Sequence, residues 1–568
     1  MKFLPAVFAV IVFVCYGVLH PEWFNYHEQY QLFLFGGEYL AEKLSVASGL
    51  AGYFGEFIAQ FYFFPLLGAA LWAGLLILLG FLVWKVAKKI SAEVSHFMLS
   101  LLPSTLLTLY CGDQNVMMTF PVALVLALTF TLLYNKIDDK CRVYLQFVFS
   151  PIVYWLIGYG VFAYIALTVA LDIKKYGFAF YQILYVLEII AVIFIVGYTV
   201  MKQYPFIDII CGVDFYRERL TIPFMQHVIT LSVVLTPLLI SLIKKADKVV
   251  TIAEAAVISL ALPLMMSTTH DKITYSLLKI DYLVRFQEWD DVIKFCEKNP
   301  PTNDMGCTGL NLALAMTGQL ADRMFEFPQC GQDGLIARFE RNMVSCGITA
   351  EACYYLGLIN SVLRYNYDSQ AAIVNCNMSG RFTRRIAEVY MLNGNYELAL
   401  KYIDILKKTV FYSPWAKKAE AACHNPETIT QNKRWATVLR YRLPENELFS
   451  VTDMDVMMMN LYKHCPDNKL ALQYSLACDL LNAKMRQFVD AMSQTQSDQG
   501  RIPKAYQEAL AWIYLQQKGT LQNLPEFISP EVKNALIEFD KLYMMNRKNP
   551  LLKQGRLGKT YWSYLIGE

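Results

Sequence analysis

Between Phe3 and Met266 the chain runs through a succession of long apolar stretches, each closed by a polar or basic cluster. About 20 apolar residues suffice for a helix to cross a bilayer. In hydrocarbon every backbone donor and acceptor has to be satisfied within the segment, so stretches of this kind dictate helices. Phe61 to Trp84, Phe180 to Met201, Phe224 to Ile243 and Val249 to Met266 read this way directly, and Phe97 to Tyr110 with Val116 to Tyr134 read as a hairpin around Cys111-Gly-Asp-Gln-Asn. Phe3 to Leu19 follows Lys2 and ends in His20-Pro21-Glu22-Trp23 with no small-x-small cleavage pattern, which marks it as an uncleaved signal anchor.

The basic residues order these segments across the membrane. Lys85, Lys88 and Lys89 form one cluster; Lys136, Lys140 and Arg142, then Lys174 and Lys175, then Lys244, Lys245 and Lys248 form the others. Lys and Arg collect on the cytoplasmic side of short loops. If Val143 to Leu171 is two short arms broken at Gly158-Tyr-Gly160, all four clusters and Lys2 share one face, leaving Lys43, Lys202, Arg217 and Arg219 on the other. A single span there puts the last two clusters on the wrong side. The expectation is a transmembrane domain over 1–266 with about nine segments and an external loop at 20–60. The N-terminus is then cytoplasmic and residues 267–568 lie outside.

The second half has a different character. At 55% hydrophobic and a mean hydropathy of +0.32 the chain is too apolar for one soluble domain, and at 17% charged it is too polar for a bundle alone. Sixteen Lys and Arg balance sixteen Asp and Glu up to Met266, so the net charge of +3 belongs to the rest, and neither half is basic enough for a nucleic-acid partner. From Thr274 apolar residues recur at helical spacing, in helices joined by short Asn-, Gly- and Pro-rich turns. The clearest unit is Arg385-Ile-Ala-Glu-Val-Tyr390-Met-Leu-Asn-Gly394-Asn-Tyr396-Glu-Leu-Ala399-Leu-Lys-Tyr402. It resembles the tetratricopeptide repeat: Ala387 at the small position of the first helix, Tyr390 at the large one, Gly394 at the turn, Ala399 at the close approach of the second helix. Weaker units lie at Ser276 to Asn299, Leu310 to Phe325, Glu351 to Tyr365, Lys469 to Met492 and Pro503 to Gln516, whereas Cys423 to Leu448 falls outside the period. The resemblance implies an α-helical solenoid over 267–568 that binds peptides or partner proteins. The fold class expected for the whole chain is therefore all-α, a polytopic helix bundle followed by a tetratricopeptide-like solenoid.

The thirteen cysteines include no C-x-x-C pair and no zinc spacing with His, and nine lie between Cys296 and Cys478. They read as small buried apolar residues rather than a disulfide framework. An extracytoplasmic location permits a surface disulfide or two.

Chemistry, if present, belongs to the outer loops. His20 to Gln60 carries Glu22, His27, Glu28, Glu38, Glu42 and Glu56 against the single base Lys43, and no P-loop, dinucleotide fingerprint, H-E-x-x-H or nucleophile elbow occurs anywhere. Asp113, Asp208, Asp214 and Glu218 are the other outer acids. A first span, a long external loop, an interfacial helix (Glu38 to Phe57) and a second span opening at Phe63-Phe64-Pro65 resemble the start of the GT-C class of glycosyltransferases, over Phe3 to Phe130. His27-Glu28-Gln29-Tyr30 stands where that class has its Asp-Glu type motif; Glu28 carries over, and His27 replaces an acid. The resemblance implies a polyprenyl-phosphate-linked sugar as substrate, Glu28 or Asp113 as the base or holder of a divalent cation, and Arg217 or Arg219 on the lipid phosphate. No other cofactor and no metal site is expected. The whole chain is also similar to an uncharacterised family of bacterial multi-span proteins with C-terminal repeat helices, which implies the inner membrane and no particular activity. Glu188, mid-segment, is an intramembrane polar group for which His227, Tyr185 and Gln182 are the candidate partners. The leading functional expectation is an envelope scaffold, in contact with membrane lipids, that binds a protein partner through the repeat domain; the alternative is the GT-C-like transferase.

Overall fold

A computed structural model describes all residues except 1–3, 219–220, 244–247, 270, 444–449, 451, 496–500, 523 and 568, and omits the side chains of 139–140, 248, 262–269, 376 and 495. Among the described residues every regular element is helical, and the sole β pairing consists of isolated bridges. The chain divides into two compact units. The first comprises Met1–Lys272 with two segments from much later in the sequence, Ile373–Gly380 and Asp404–Pro414; the second comprises Ile273–Ala372, Arg381–Ile403 and Trp415–Glu568.

The first unit runs through α1 (Leu4–Val14), α2 (Pro21–Glu28), α3 (Gly37–Leu44), α4 (Gly49–Ala59), α5 (Pro65–Ile90), α6 (Leu102–Tyr110), α7 (Thr119–Tyr134), α8 (Asp139–Ile157), α9 (Gly160–Tyr176), α10 (Phe180–Thr199), α11 (Phe206–Cys211), α12 (Phe224–Leu242) and α13 (Lys248–Thr269). α5 starts on Pro65, whose fixed φ and missing N–H suit the first helical position, and its last turn carries Lys88 and Lys89. α5, α10 and α12 are long and apolar enough to cross a membrane; Leu4–Leu19 with Pro21–Glu28, bent by 77°, makes a fourth if counted as one span. Other apolar segments form shorter helices, Leu99–Tyr110 and Thr119–Tyr134 among them. The nine segments read from the sequence are thus not nine full-length helices.

One local expectation is met and two change. Val143 to Leu171 is divided, as its charge pattern requires, at Gly158, where φ is +52° and a Cβ would lie 2.8 Å from Ser48 Cβ. The interfacial helix Glu38 to Phe57 is instead two helices, parted before Ser48, which takes a left-handed φ of 72°. Arg142, counted among the basic clusters, is buried and paired with Asp172 at 2.8 Å, while Tyr134 donates to the same carboxylate at 2.9 Å.

The second unit continues with α14 (Lys272–Phe286, from Ile273 onward), α15 (Trp289–Lys298), α16 (Asp304–Met316), α17 (Leu320–Arg323), α18 (Met343–Leu356), α19 (Ile359–Ala371), α20 (Gly380–Leu392, from Arg381 onward), α21 (Tyr396–Lys407, up to Ile403), α22 (Ser413–His424, from Trp415 onward), α23 (Lys433–Tyr441), α24 (Met454–His464), α25 (Lys469–Leu481), α26 (Met485–Thr495), α27 (Lys504–Lys518), α28 (Pro530–Met545) and α29 (Tyr561–Leu565). The unit singled out at Arg385 to Tyr402 is a pair of helices around Gly394 (φ +79°), with Ala387 and Ala399 fully buried and the Tyr390 and Tyr402 rings stacked 5.9 Å apart. Pro503 to Gln516, expected as a hairpin, is one continuous helix. It lacks an internal Gly or Pro to turn it.

At the centre of this unit lies a buried ion network. Arg385 donates to both oxygens of Glu351 at 2.7 and 2.8 Å and to Glu388 at 2.7 Å; Glu388 also accepts from Tyr354 and from the Trp435 indole. Burial opposes ionisation of Glu388, but Arg385, Arg434 and Arg384 outweigh it and hold the carboxyl down at about 2. Removing Arg385 takes from both buried carboxylates the cation they are hydrogen-bonded to, and breaking a buried pair from one side costs about 3–5 kcal/mol. Arg385→Ala is therefore expected to lose stability on that scale in urea unfolding followed by tryptophan fluorescence. A loss under about 1 kcal/mol, the size of an exposed ion pair, would refute the network's role.

Candidate functional site

The polar stretch after the first apolar segment is folded inward. Pro21 starts α2 after a wide helical turn over Cys15–Leu19, and Tyr16 in that turn donates to the Thr108 carbonyl at 2.9 Å. Seven of the eight residues of α2 are buried, among them Glu22, Asn25, His27 and Glu28, and the following Gln29 and Gln31 are equally enclosed. Aromatic neighbours supply the enclosure: the Trp23 ring lies against His27, tilted by 42° with centroids 4.1 Å apart, packs against Phe24 and Tyr62, and donates its indole N–H to the Cys111 carbonyl at 2.7 Å.

Two loops close on this helix. The 113–117 turn and the 213–217 loop pair through Val116 and Tyr216, with Met117 N–H donating to Phe215 at 3.1 Å and Arg217 N–H to Asn115 at 2.8 Å. Tyr216 donates to Asp113 at 2.7 Å, and the Asn115 amide donates to the same carboxylate at 2.9 Å. The Arg217 guanidinium extends to α2, where it donates to the Tyr26 hydroxyl and lies 4.4 Å from the Tyr30 ring centroid. No carboxylate forms an ion pair with Arg217 among the described residues. Burial, and then the positive charge of Arg217, push the His27 imidazole down to about 3, so it is neutral. His27 Nε2, Asn25 Nδ2 and both amide atoms of Gln31 are buried without a hydrogen-bond partner in the protein. Each such atom costs on the order of 1–3 kcal/mol unless a bound polar molecule satisfies it.

A second cluster adjoins in the same unit. Lys43 of α3 donates to Glu56 of α4 at 2.6 Å and to Asn377 at 3.0 Å, and lies 3.9 Å from Asp214. Asn375 and Asn377 both donate to Asp214, at 2.7 and 3.2 Å, and Tyr39 donates to Glu56. One cation thus faces two carboxylates. Burial, only partly offset by Lys43, pushes Glu56 up to about 7; burial acts against the Lys43 ammonium, but Glu56 and Asp214 raise it further.

Of the residues proposed from sequence, Asp113 and Arg217 are brought together through Tyr216, Asn115 and Tyr26. Glu28 lies on the same helix but accepts from Tyr412 at 2.7 Å, a residue of the late 404–414 segment. Arg219 falls outside the described residues. Glu188 is half-buried next to Ser150 of α8, whereas His227 pairs with Tyr159, so those two polar groups do not meet each other. Glu38 and Glu42 are exposed. Among the described residues no group of three or more His, Cys, Asp or Glu is placed to hold a metal ion. The roles of Asn375, Asn377 and Tyr412 leave no trace in sequence spacing; Lys43, alone among acids, was the visible hint of the charge cluster.

The Glu56 value gives a signed pH dependence. Its folded pKa of about 7 exceeds the ordinary 4.5, so its favourable contribution is complete below about pH 4.5 and is lost as pH rises through about 7. Thermal unfolding of the wild type relative to Glu56→Gln is expected to lose up to about 3 kcal/mol of stability over that interval. Parallel pH profiles for the two proteins would contradict the assignment.

No curated protein and no solved structure matches the chain. A family model described as "Family of unknown function (DUF6057)" matches residues 1–568, the whole length, and the chain belongs to that family.

Proposed function

We propose that this is a multi-pass inner-membrane protein whose first unit binds a phosphate-bearing polyprenyl lipid at Arg217, as a GT-C-like glycosyltransferase does with its lipid-linked sugar. The observation that carries the reading is a partly buried guanidinium without a carboxylate partner among the described residues, bonded to Tyr26 in the 25–31 stretch that also carries neutral His27 and the unsatisfied amides of Asn25 and Gln31. Arginine pairs with phosphate through charge-assisted, two-pronged hydrogen bonds, and tyrosine hydroxyls and amides supply further donors. Asp113, tied to the same loop, and Glu28, one residue from His27, are the carboxylates expected from the sequence to accept an acceptor hydroxyl's proton. Arg219 is the second phosphate ligand expected from sequence.

A second reading is the envelope scaffold, with the second unit as a tetratricopeptide-like solenoid outside the cytoplasm. What favours it is a tyrosine cluster shared by the best repeat unit and the preceding helix α19: the Tyr367 hydroxyl meets those of Tyr390 and Tyr402 at 2.9 and 2.6 Å. Tyrosines of this kind give partner surfaces large contact area at little entropic cost.

For the first reading the purified full-length protein, in detergent, is expected to bind polyprenyl phosphate in preference to the uncharged polyprenol, and Arg217→Gln to weaken that binding roughly tenfold or more, the worth of one charge-assisted hydrogen bond. Equal affinity for phosphate and alcohol would sink it. For the membrane arrangement that both readings need, reporter fusions after Lys89, Arg142 and Lys175 should report cytoplasm and a fusion after Ser267 the opposite side. A cytoplasmic signal at Ser267 would overturn the scaffold reading.

A further inference from the structure

The second unit contains two thiols held face to face by a dedicated set of hydrogen bonds. α16 begins at Asp304 behind the Asn303 cap, whose side chain accepts from Gly306 N–H at 2.9 Å. Cys307, Thr308 and Asn311 share one face of it, at the spacing of neighbours one turn apart. Along that face runs the segment 328–334. Asn311 donates to the Gln329 side chain and to the Gly334 carbonyl, both at 2.9 Å, and Thr308 donates to the Asp333 carbonyl at 3.4 Å. The Cys307 thiol donates to the Pro328 carbonyl at 3.4 Å. These contacts bring the Cys330 sulfur to 3.6 Å from the Cys307 sulfur. A disulfide needs about 2.05 Å, an approach that a short irregular segment turning at Gly331 (φ +59°) accommodates more readily than two opposed helices.

The two sulfurs differ in access. Cys307 is fully buried. Cys330 is partly exposed and lies in the wall of an open cavity of about 670 Å³ lined also by Phe325, Pro328, Lys553, Ser563 and Tyr564. Burial, then the neighbouring Cys330, raise the Cys307 thiol above its ordinary range, so the first thiolate to react is that of Cys330.

We propose that Cys307 and Cys330 form a reversible dithiol–disulfide site whose oxidant is a small disulfide-bearing molecule entering through this cavity. The Cys330 thiolate attacks one sulfur of the incoming disulfide and expels the other as a thiolate, which takes up the proton Cys330 gave away. Cys307, losing its proton in turn, attacks the Cys330 sulfur and expels the second thiol. Two electrons and two protons pass from the protein pair to the oxidant, which leaves as two thiols. The product ties the 328–334 segment covalently to α16 and fixes one wall of the cavity.

The test uses the full-length protein in detergent, treated with oxidised glutathione, blocked with an alkylating reagent, digested without reductant and read by mass spectrometry. The expected product is a single linked pair of peptides carrying Cys307 and Cys330, lighter by two hydrogen atoms than the free pair and dissolved by dithiothreitol. Cys307→Ser should trap Cys330 as a glutathione adduct, while Cys330→Ser should leave Cys307 as an unmodified thiol. Wild-type protein in which the two cysteines are alkylated or glutathionylated separately, or linked to other cysteines, overturns the proposal whether or not the variants fold. Because Arg217 and the lipid play no part in this assay, failure of the lipid-binding reading leaves its outcome unaffected.

Discussion

A single ammonium group at Lys43 holds together parts of the chain that are far apart in sequence. It bonds Glu56 at 2.6 Å and Asn377 at 3.0 Å, and Asn377 in turn bonds Asp214. Helices α3 and α4, the loop after α11 and the late segment 373–380 therefore converge on one low-dielectric point. There each charge is expensive to keep unless its partners are in position. With one cation and two carboxylates the balance closes only if one acid keeps its proton, and the most enclosed of them, Glu56, is pushed toward neutrality. Removing Lys43 would leave the two acids to repel each other inside the unit.

The same logic extends to α2. Its polar side chains are interior because Trp23, Phe24, Tyr26 and Tyr30 surround them and because the 113–117 turn and the 213–217 loop lie across them. A polar segment buried this thoroughly has to satisfy its hydrogen bonds with groups contributed from elsewhere. Arg217, Cys111 and Tyr412 do so for Tyr26, Trp23 and Glu28. Groups on Asn25, His27 and Gln31 are left over.

The helical nature of the chain was legible in the sequence, because hydropathy and period act locally. α5, α10 and α12 stand almost where the apolar runs predict them, and Gly394 turns the chain where the repeat-like spacing requires. Span length was less legible. An apolar run does not say how much of itself is helix, and α6 covers only nine residues because a tighter turn at Leu99–Leu101 occupies its start. Least legible was which side of the boundary a polar loop belongs to. Glu28 and Glu56 read as solvent-facing acids, since nothing within 20–60 announces that residues some 350 positions later, Tyr412 and Asn377, bond to groups of that loop. Asp113 and Arg217 were singled out by type and side alone, and a two-loop bridge around Val116 and Tyr216 is what joins them.

The inclusion of 373–380 and 404–414 in the first unit bears on how that unit is made. Chain synthesis proceeds from the N-terminus, and domains generally form as their residues emerge. Here the helices from α1 to α13 are complete long before Asn377 and Tyr412 exist. The nascent first unit must then wait through the production of more than a hundred further residues with Lys43, Asp214 and Glu28 still short of their last partners. Maturation of the buried polar region is thus a late event in the birth of the molecule, timed by the ribosome's passage beyond Pro414.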